Sequence, residues 1–435
     1  MHTQDEHCTT LGHSRCALPP ASGTRAGRYT GSLVKSYLEL LKTRGVGRIM
    51  LAQLVARFPS GMLSLAFLLH VEQVHDSYGA AGLVLAATSI GQAIAGPLTS
   101  RWMGIWGMRK VIALTILVSS TAIGTIAFVE MPVHLYMIVG FVAGISWPPI
   151  QPAVRTIYPK MVNSKQLTPL FSLDASAQEI IWVVGPVVTT LVATQIGTVE
   201  AIVLALVFFV GGGAWFLMSP ELGQVRIPRS RRKMGAVLKR PQVLLATVVG
   251  FLLVGSCAAV EAGVVATFGH GDADAGIVLA IFAAGSLVGG LAFGNLQIGP
   301  WALARRMLLV FVGMALAAAI LDFWWLSATL FVAGLGIAPA LAVMFSIVSS
   351  SVKFSETAEA YGWVGTGQLI GAAIGSALAG FLIDARGAQG AFWVAAGLAL
   401  VGFLVPVVFR KAHPDLRGRD SSPIPDTEPI TTLLR

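Results

Sequence analysis

The chain has 435 residues, of which 55% are hydrophobic and only 12% are charged. Soluble domains carry about 25% charged residues, so this composition excludes an ordinary soluble domain and indicates an integral membrane protein. The formal net charge of +9 is spread over many short segments between apolar runs, which argues against a nucleic-acid-binding protein.

Residues 1–46 form a polar N-terminal tail that begins without a hydrophobic signal segment. We therefore expect the first apolar segment to act as an uncleaved insertion signal. Cys8, His13 and Cys16 lie in this tail, but they lack the regular spacing of zinc ligands. We predict no metal site, and nothing in the sequence indicates another cofactor.

Twelve apolar segments follow, each about long enough for a helix to cross about 30 Å of hydrocarbon. They span residues 47–70, 79–100, 110–129, 134–156, 169–194, 198–218, 243–268, 275–295, 306–322, 325–350, 358–383 and 389–410. The ninth is short and ends near Asp322. The sequence predicts an all-α integral membrane protein with twelve transmembrane helices.

The cations sort to one side of this arrangement. With both termini in the cytoplasm, every Lys and Arg except Arg57 and Arg386 falls in a cytoplasmic segment, and three of them, Arg155, Lys160 and Lys165, follow the fourth helix. This distribution matches the positive-inside rule. We predict a multi-pass protein of the cell membrane with cytoplasmic termini, and the excess of Arg over Lys points to a bacterial source.

An internal duplication divides the helices into two groups of six. Residues 141–144 return as 331–334, and a proline follows five residues after the glycine in both copies, at Pro149 and Pro339. Residues 81–86 return 194 positions later with one change, Leu83 to Ile277, and the glycines at 91 and 96 return at the same offset. We predict a tail at 1–46, a six-helix bundle at 47–218, a basic linker at 219–242, a second, pseudo-symmetric six-helix bundle at 243–410 and a disordered tail at 411–435.

Twelve segments, a six-plus-six repeat and a long basic linker resemble the major facilitator superfamily of secondary transporters. The resemblance covers about residues 46–410. The loop after the second helix is similar to the family's inner-loop signature, although Ser100 stands in the place of its acid. The resemblance implies a gate motif whose basic side chains cap helix ends or pair with carboxylates when the inner side closes; its residues are Gly96, Arg101, Gly107, Arg109 and Lys110.

Two further motifs bear on the direction of transport. Gly185 and Pro186 in the fifth helix are similar to the glycine-proline signature of the family's exporters, but the later paired glycines are absent, so a simple bend at Pro186 fits equally well. Gly140 stands where proton-coupled drug exporters of the family usually carry an arginine. Any proton coupling must therefore rest on other ionisable groups.

Four charged residues within the predicted helices are candidates for coupling or ion pairing: Arg57, Asp174, Glu179 and Glu261. A charge at the centre of a membrane helix costs about 2.5–3.5 kcal/mol on insertion scales, so Arg57 needs a partner or a wet cavity. Because the first and fifth helices are neighbours in the family's fold, we predict Glu179 as this partner. A structural salt bridge and a proton-sensitive switch fit the pair equally, and Glu261 fits a coupling role and a solvated outer-gate role equally.

Aromatic and amide side chains suit an amphipathic organic substrate. The substrate-cavity candidates are Trp147, Gln151, Trp182, Trp363 and Gln368. A core or lipid-facing position accounts for any one of them as well.

The sequence contains no phosphate-binding loop and no metal-binding histidine pair, so we predict neither an enzyme nor an ATP-driven pump. The resemblance implies a secondary transporter that works by alternating access, and we expect a monomer that exports small organic or drug-like compounds by proton antiport. Uptake of a nutrient or metabolite is the first alternative, and a non-transporting membrane sensor or channel is the second. The expected partners are the lipid bilayer, a small-molecule substrate and the proton, not nucleic acid.

Overall fold

The computed structural model describes residues 37–230, 232–269, 273–294 and 296–426. Twelve helical segments make up its membrane region and alternate in direction along the chain. They are α1 (Val46–His75), α2 (Tyr78–Trp106), α3 (Met108–Phe128), α4 (Val133–Met161), α5 (Ser164–Gln195), α6 (Thr198–Met218), α7 (Pro241–Phe268), α8 (Ala273–Phe293), α9 (Ala302–Ala317), α10 (Phe323–Ser351), α11 (Phe354–Arg386) and α12 (Gln389–Val408). The sequence predicts that Cys8, His13 and Cys16 bind no metal, and these three residues lie outside the described part of the chain.

Eleven of the described helices are long and apolar enough to cross a membrane. The remaining segment, α9, has 16 residues and is about 24 Å long at 1.5 Å per residue. The fold is thus the predicted one of two six-helix bundles. Several helices continue beyond their apolar spans; α5, for example, begins at Ser164 and not near residue 169, because polar residues extend a helix past the hydrocarbon without raising its hydropathy.

Two helices of the first half are interrupted near their middle. A short 3-10 turn at Phe58–Gly61, which contains Pro59, divides α1. Residues 146–149, which include Pro148 and Pro149, divide α4. Proline lacks an N–H donor and clashes with the preceding turn, so both breaks have a local cause. In the second half, α10 contains Pro339 and nevertheless remains one continuous helix.

The duplicated glycines are points of close approach between equivalent helices. A Cβ atom added at Gly144 of α4 would lie 3.0 Å from the backbone nitrogen of Gln92 in α2. In the second half, a Cβ atom at Gly334 of α10 would lie 3.0 Å from the Cα atom of Gly285 in α8. Such distances leave no room for a side chain, so both halves use the same small-residue contact.

The two halves contact each other on the side of the membrane where residues 219–240 connect α6 to α7, here called the linker end. Ser172 Oγ of α5 donates to the carbonyl oxygen of Gly290 in α8 at 2.6 Å. Thr366 Oγ1 of α11 donates to the carbonyl oxygen of Ala93 in α2 at 2.7 Å. These two bonds join the halves and hold the linker end closed in this structure.

The tail after α12 is ordered as far as residue 426, contrary to the predicted disorder. The backbone N–H of Ile424 donates to the carbonyl oxygen of Val352 at 2.9 Å, and that of Phe354 donates to Ile424 at 3.0 Å. Asp426 accepts a 3.1 Å bond from the backbone N–H of Ser355, in the first turn of α11. Backbone pairing and an acid at a helix N-terminus are local interactions that composition alone does not reveal.

Candidate functional site

A buried ionic cluster lies among α1, α4 and α5 with Asp174 at its centre. The side chain of Asp174 is 0% exposed. Its Oδ1 atom accepts bonds from Gln53 Nε2 at 3.1 Å and Tyr158 Oη at 3.3 Å, and it lies 3.4 Å from a terminal guanidinium nitrogen of Arg57. Its Oδ2 atom accepts from Arg155 Nε at 2.9 Å. The single carboxylate of Asp174 therefore forms ion pairs with two arginines.

Arg155 is held from both sides. Its guanidinium carbon lies 3.5 Å from the ring centroid of Phe345 in α10, so a cation-π contact joins the two halves at this point. Phe345 in turn accepts a bond at its carbonyl oxygen from Tyr361 Oη of α11 at 3.0 Å. The side chain of Arg155 is only 3% exposed, which fixes it as part of the protein interior.

Amide side chains complete the surroundings of Arg57. Its guanidinium donates to Gln53 Oε1 at 2.8 Å and to Gln178 Oε1 at 2.5 Å. The amide of Gln151, which follows the break in α4, lies 3.1 Å from the same Gln178 oxygen. With its oxygen turned toward the guanidinium groups, Gln151 accepts from Arg155 at 2.7 Å. Arg57 thus has neutral partners at short distances and its acidic partner at a longer one.

The cluster carries an excess of positive charge. Arg57 and Arg155 contribute two cations, and Asp174 contributes one anion. A net charge within the membrane is costly unless an opposite charge or water compensates for it. The arrangement can therefore attract an anionic group.

The structure corrects the predicted partner of Arg57. Arg57 contacts Asp174, whereas Glu179 turns toward the other half and accepts a 3.0 Å bond from Ser286 Oγ of α8. Asp174 and Glu179 are five residues apart, which separates them by about 140° around an α-helix. The two acids of α5 therefore face different neighbours.

Glu261 of α7 belongs to a second acidic region. It lies near Glu179 of α5, and Cys257 lies one turn before Glu261 in α7. The two acids come from different halves, because α5 belongs to the first and α7 to the second. They are separate from the arginine cluster in which Asp174 takes part.

Of the five predicted cavity residues, Gln151 is the one that joins the cluster. Trp147 packs against Phe209 of α6 with 5.3 Å between ring centroids, and Trp182 is 50% exposed. The ring of Trp363 lies beside Gly235 of the linker, and Gln368 lies against Gly250 of α7. The aromatic candidates are therefore spread over several surfaces.

The gate motif lies at the linker end, where Arg101 bonds across the halves. A terminal nitrogen of Arg101 lies 3.1 Å from an oxygen of Glu359 in α11, and the guanidinium also donates to the carbonyl oxygen of Arg232. Glu359 accepts a second bond from the backbone N–H of Gly235 at 2.7 Å. The acid of α11 thus holds both α2 and the linker.

Glu356 makes the matching contacts one turn earlier in α11. It lies 3.2 Å from Arg232 and 3.0 Å from Arg240, both in the linker. The acids at the start of α11 therefore do more than favour the helix N-terminus, because they bind the connection between the halves.

The remaining motif residues have structural positions. A Cβ atom at Gly96 would lie 3.0 Å from the carbonyl oxygen of Gly362, which lets α2 meet α11. Gly107 has a φ of 90° at the end of α2, a value that favours glycine. Arg109 donates to the carbonyl oxygen of Ser219, at the end of α6, at 3.2 Å. Lys110 is exposed.

Gly185 and Pro186 lie in α5 opposite the break in α1. A Cβ atom at Gly185 would lie 2.8 Å from the carbonyl carbon of Gly61. α5 continues through Pro186 to Gln195 without interruption. In this structure the glycine allows close packing against the interrupted helix that carries Arg57.

Sequence reasoning missed four members of the cluster: Gln53, Arg155, Tyr158 and Gln178. The assignment of Arg155 to a loop is wrong, because α4 continues to Met161 and buries this residue. The predicted span 134–156 already contained Arg155, so a count of charges within helices would have found it. The three neutral residues carry no comparable signal.

A family model described as Major Facilitator Superfamily matches residues 49–321 and 258–435. A search of curated protein sequences found no significant match.

Solved structures resemble the fold. The human organic anion transporter MFSD10 has a TM-score of 0.65 at 16% identity and covers 83% of this chain and 99% of its own. A bacterial homologue of the iron transporter ferroportin, in an outward-facing state, has a TM-score of 0.68 at 12% identity over 85% of this chain and 100% of its own. The Escherichia coli fucose:proton symporter FucP has a TM-score of 0.64 at 14% identity over 85% and 98%.

These structural likenesses show the fold alone, whereas the family model covers most of the chain and agrees with the twelve helical segments. The chain belongs to the major facilitator superfamily and is a multi-pass membrane transporter of that family.

Proposed function

We propose that this protein exports small organic compounds across a bacterial cell membrane by proton antiport. The observation that supports this proposal most directly is the cluster of Arg57, Arg155 and Asp174, which lies beside the interruptions of α1 and α4. Charged side chains at interrupted helices within the membrane are typical of substrate sites in secondary transporters.

Alternating access requires the closed linker end to open. Opening must break the Arg101 to Glu359 contact and separate α2 from α11, where Gly96 and Gly362 touch. The linker must also loosen from Glu356. The gate consists of a few charge-assisted bonds and a glycine contact, so it can open without disrupting either bundle.

Glu179 and Glu261 are the proposed coupling residues. Glu179 bonds to Ser286 of the opposite half and lies near Glu261 of α7. Protonation of either acid removes their mutual repulsion and changes the bond across the halves, which links proton binding to the position of the halves. Asp174 is assigned to the arginine cluster instead.

The missing arginine at position 140 is consistent with this choice. A Cβ atom at Gly140 would lie 2.8 Å from Thr88 Oγ1 of α2. The close approach of α2 and α4 leaves no space for the arginine that proton-coupled exporters of the family usually carry. Coupling at Glu179 and Glu261 would use the interface between the halves.

We place the linker end and both termini in the cytoplasm, because the cations of the chain collect there. The protein is proposed to act as a monomer within the bilayer. The exporter-like Gly185 and Pro186 pair supports export as the direction.

The test is a transport assay in cells that overexpress the protein. A panel of anionic, neutral and cationic organic compounds is loaded, and the retained amounts are measured by mass spectrometry with and without a protonophore. We expect at least one compound to be retained less than in empty-vector cells, and the protonophore to abolish this difference. Glu179→Gln should abolish it as well, whereas Glu200→Gln, at an exposed position at the start of α6, should not.

Other outcomes separate the alternatives. Saturable accumulation that depends on the proton gradient would replace export with uptake by symport. Gradient-independent flux would indicate a uniporter or a channel. Absence of flux for the whole panel, with the protein present in the membrane, would favour a sensor.

A further inference from the structure

We propose that Arg57 binds the acidic group of a monoanionic organic substrate. The proposal rests on the transport function proposed above and names the substrate class of the same site. It follows from a difference between the two arginines of the cluster, because Arg155 is paired closely with Asp174 and Arg57 is not.

The two arginines differ in how completely their positive charges are compensated by other groups of the protein. Arg155 lies 2.9 Å from Asp174, stacks on Phe345 and is 3% exposed. Arg57 lies 3.4 Å from Asp174 and is 10% exposed. Its short bonds go to the neutral amides of Gln53 and Gln178. The excess positive charge of the cluster therefore resides mainly on Arg57.

The surroundings of Arg57 fit an anion better than a second cation or a neutral group. The second part of α4, Ile150–Met161, begins beside the cluster, and a helix N-terminus adds partial positive charge. Gln151 and Gln178 are half-buried and can turn their amide N–H groups toward a bound oxyanion. Guanidinium and amide donors together suit a carboxylate or a sulfonate.

The charge count limits the substrate to one negative charge. Asp174 neutralises one of the two arginines, so a monoanion brings the net charge of the cluster to zero. A dianion would leave an uncompensated negative charge in the membrane interior and would be disfavoured. Phosphate monoesters and dicarboxylates, which carry up to two negative charges near neutral pH, should therefore bind more weakly than monoanions.

An aromatic substrate body is consistent with the residues along α5. Trp182 lies one helical turn beyond Gln178, on the same face of α5, and is 50% exposed. An apolar ring that extends from the acidic group at Arg57 can reach this indole. The inferred substrate is an aromatic or otherwise apolar monocarboxylate or monosulfonate.

The experiment compares isosteric ligands on the purified, detergent-solubilised full chain. The probes are 2-naphthoate, 2-naphthalenesulfonate, 2-naphthamide and 2-naphthylmethylammonium at equal ionic strength, and the readout is the ligand-dependent rise in melting temperature. We expect the two anions to raise the melting temperature more than the amide or the ammonium compound does. Naphthalene-2,6-dicarboxylate should have a smaller effect than 2-naphthoate.

Variants assign the effect to Arg57. Arg57→Gln should weaken 2-naphthoate binding about tenfold or more, and Arg57→Lys should keep part of the binding. Arg226→Gln removes the same charge from an exposed linker position and should leave the shift unchanged. The melting temperature of each variant without ligand shows whether it has folded.

Several results would overturn the proposal. They are equal stabilisation by the amide, a naphthoate effect that survives Arg57→Gln in folded protein, and no stabilisation by either anion. Failure of the transport function is distinguishable: proton-coupled export of neutral compounds without anion binding rejects this inference alone. Arg57-dependent anion binding without any flux rejects transport alone.

Discussion

The two halves of the protein share the same helix packing and differ in the charged and polar side chains that they place inside the membrane. Gly144 and Gly334 make the same helix contact in α4 and α10. Position 155 is an arginine in the ionic cluster, whereas position 345, at the same offset of 190 residues, is a phenylalanine. Gln151 corresponds in the same way to Leu341. The duplicated residues build the scaffold, and the differing ones build the site.

The comparison also explains the different effect of the two prolines. Residues 146–149 interrupt α4 beside polar side chains. In contrast, α10 stays helical through Pro339, in a segment where most residues are buried and apolar. Polar side chains can satisfy backbone groups that a break exposes, and an apolar environment cannot. Helix interruption therefore accompanies the charged cluster.

The largest expected effect is at Asp174. Asp174→Asn leaves two arginines without an acidic partner and should cost about 3–5 kcal/mol of stability. Its counterpart in the second half, Val364, is buried and neutral, so Val364→Ala should cost less. Melting temperature and yield of the purified proteins measure both. Similar losses for the two variants would contradict the placement of the chemistry in the first half.

The next effect concerns the gate at the linker end. Arg101→Ala removes a bond to a buried carboxylate worth about 1.5–3 kcal/mol and should shift the equilibrium toward an open linker end about tenfold or more. Cysteine at position 100, where Ser100 is buried, should then react faster with a maleimide. Arg226→Ala serves as the control. Unchanged labelling would show that Arg101 does not hold the gate.

The duplicated glycines should respond alike. Gly144→Ala and Gly334→Ala each place a methyl group against the backbone of a neighbouring helix and should cost about 1–3 kcal/mol. Gly211 and Gly397 have no neighbouring atom within 4 Å of an added Cβ, so alanine there should be neutral or slightly stabilising. Thermal unfolding of the four variants gives the comparison. A large difference between Gly144→Ala and Gly334→Ala would contradict equivalent helix packing in the two halves.

The smallest effect is expected at Ser286. Ser286→Ala removes the hydroxyl that bonds to Glu179 and should change stability by about 1 kcal/mol. The lost donor favours the protonated form of the carboxyl group, so the pH midpoint of transport should move upward. Ser350→Ala, at a half-buried position of α10, provides the control. A pH profile that does not move would remove the Ser286 contact from the coupling step.

The sequence predicted the helices and the duplication because apolar length and repeated glycines are local signals. It did not predict which acid meets Arg57. Asp174 and Glu179 both lie in α5, and the choice depends on the rotation of that helix about its axis. That rotation follows from packing between helices, such as the contact of Gly185 with Gly61, which the sequence does not reveal. The order of the C-terminal tail was missed for a similar reason, because it depends on pairing with residues 352–355.

The contact between Arg155 and Phe345 joins two positions that correspond to each other in the repeat. Phe171 and Tyr361 show the same relation, with 6.3 Å between their ring centroids. Residues that meet their own counterparts lie beside the pseudo-two-fold axis. In an exactly symmetric pair of halves, an arginine at position 155 would face another arginine and be repelled by it. The cluster therefore depends on a single chain in which the two copies of this position differ, and an assembly of two identical halves could not form it.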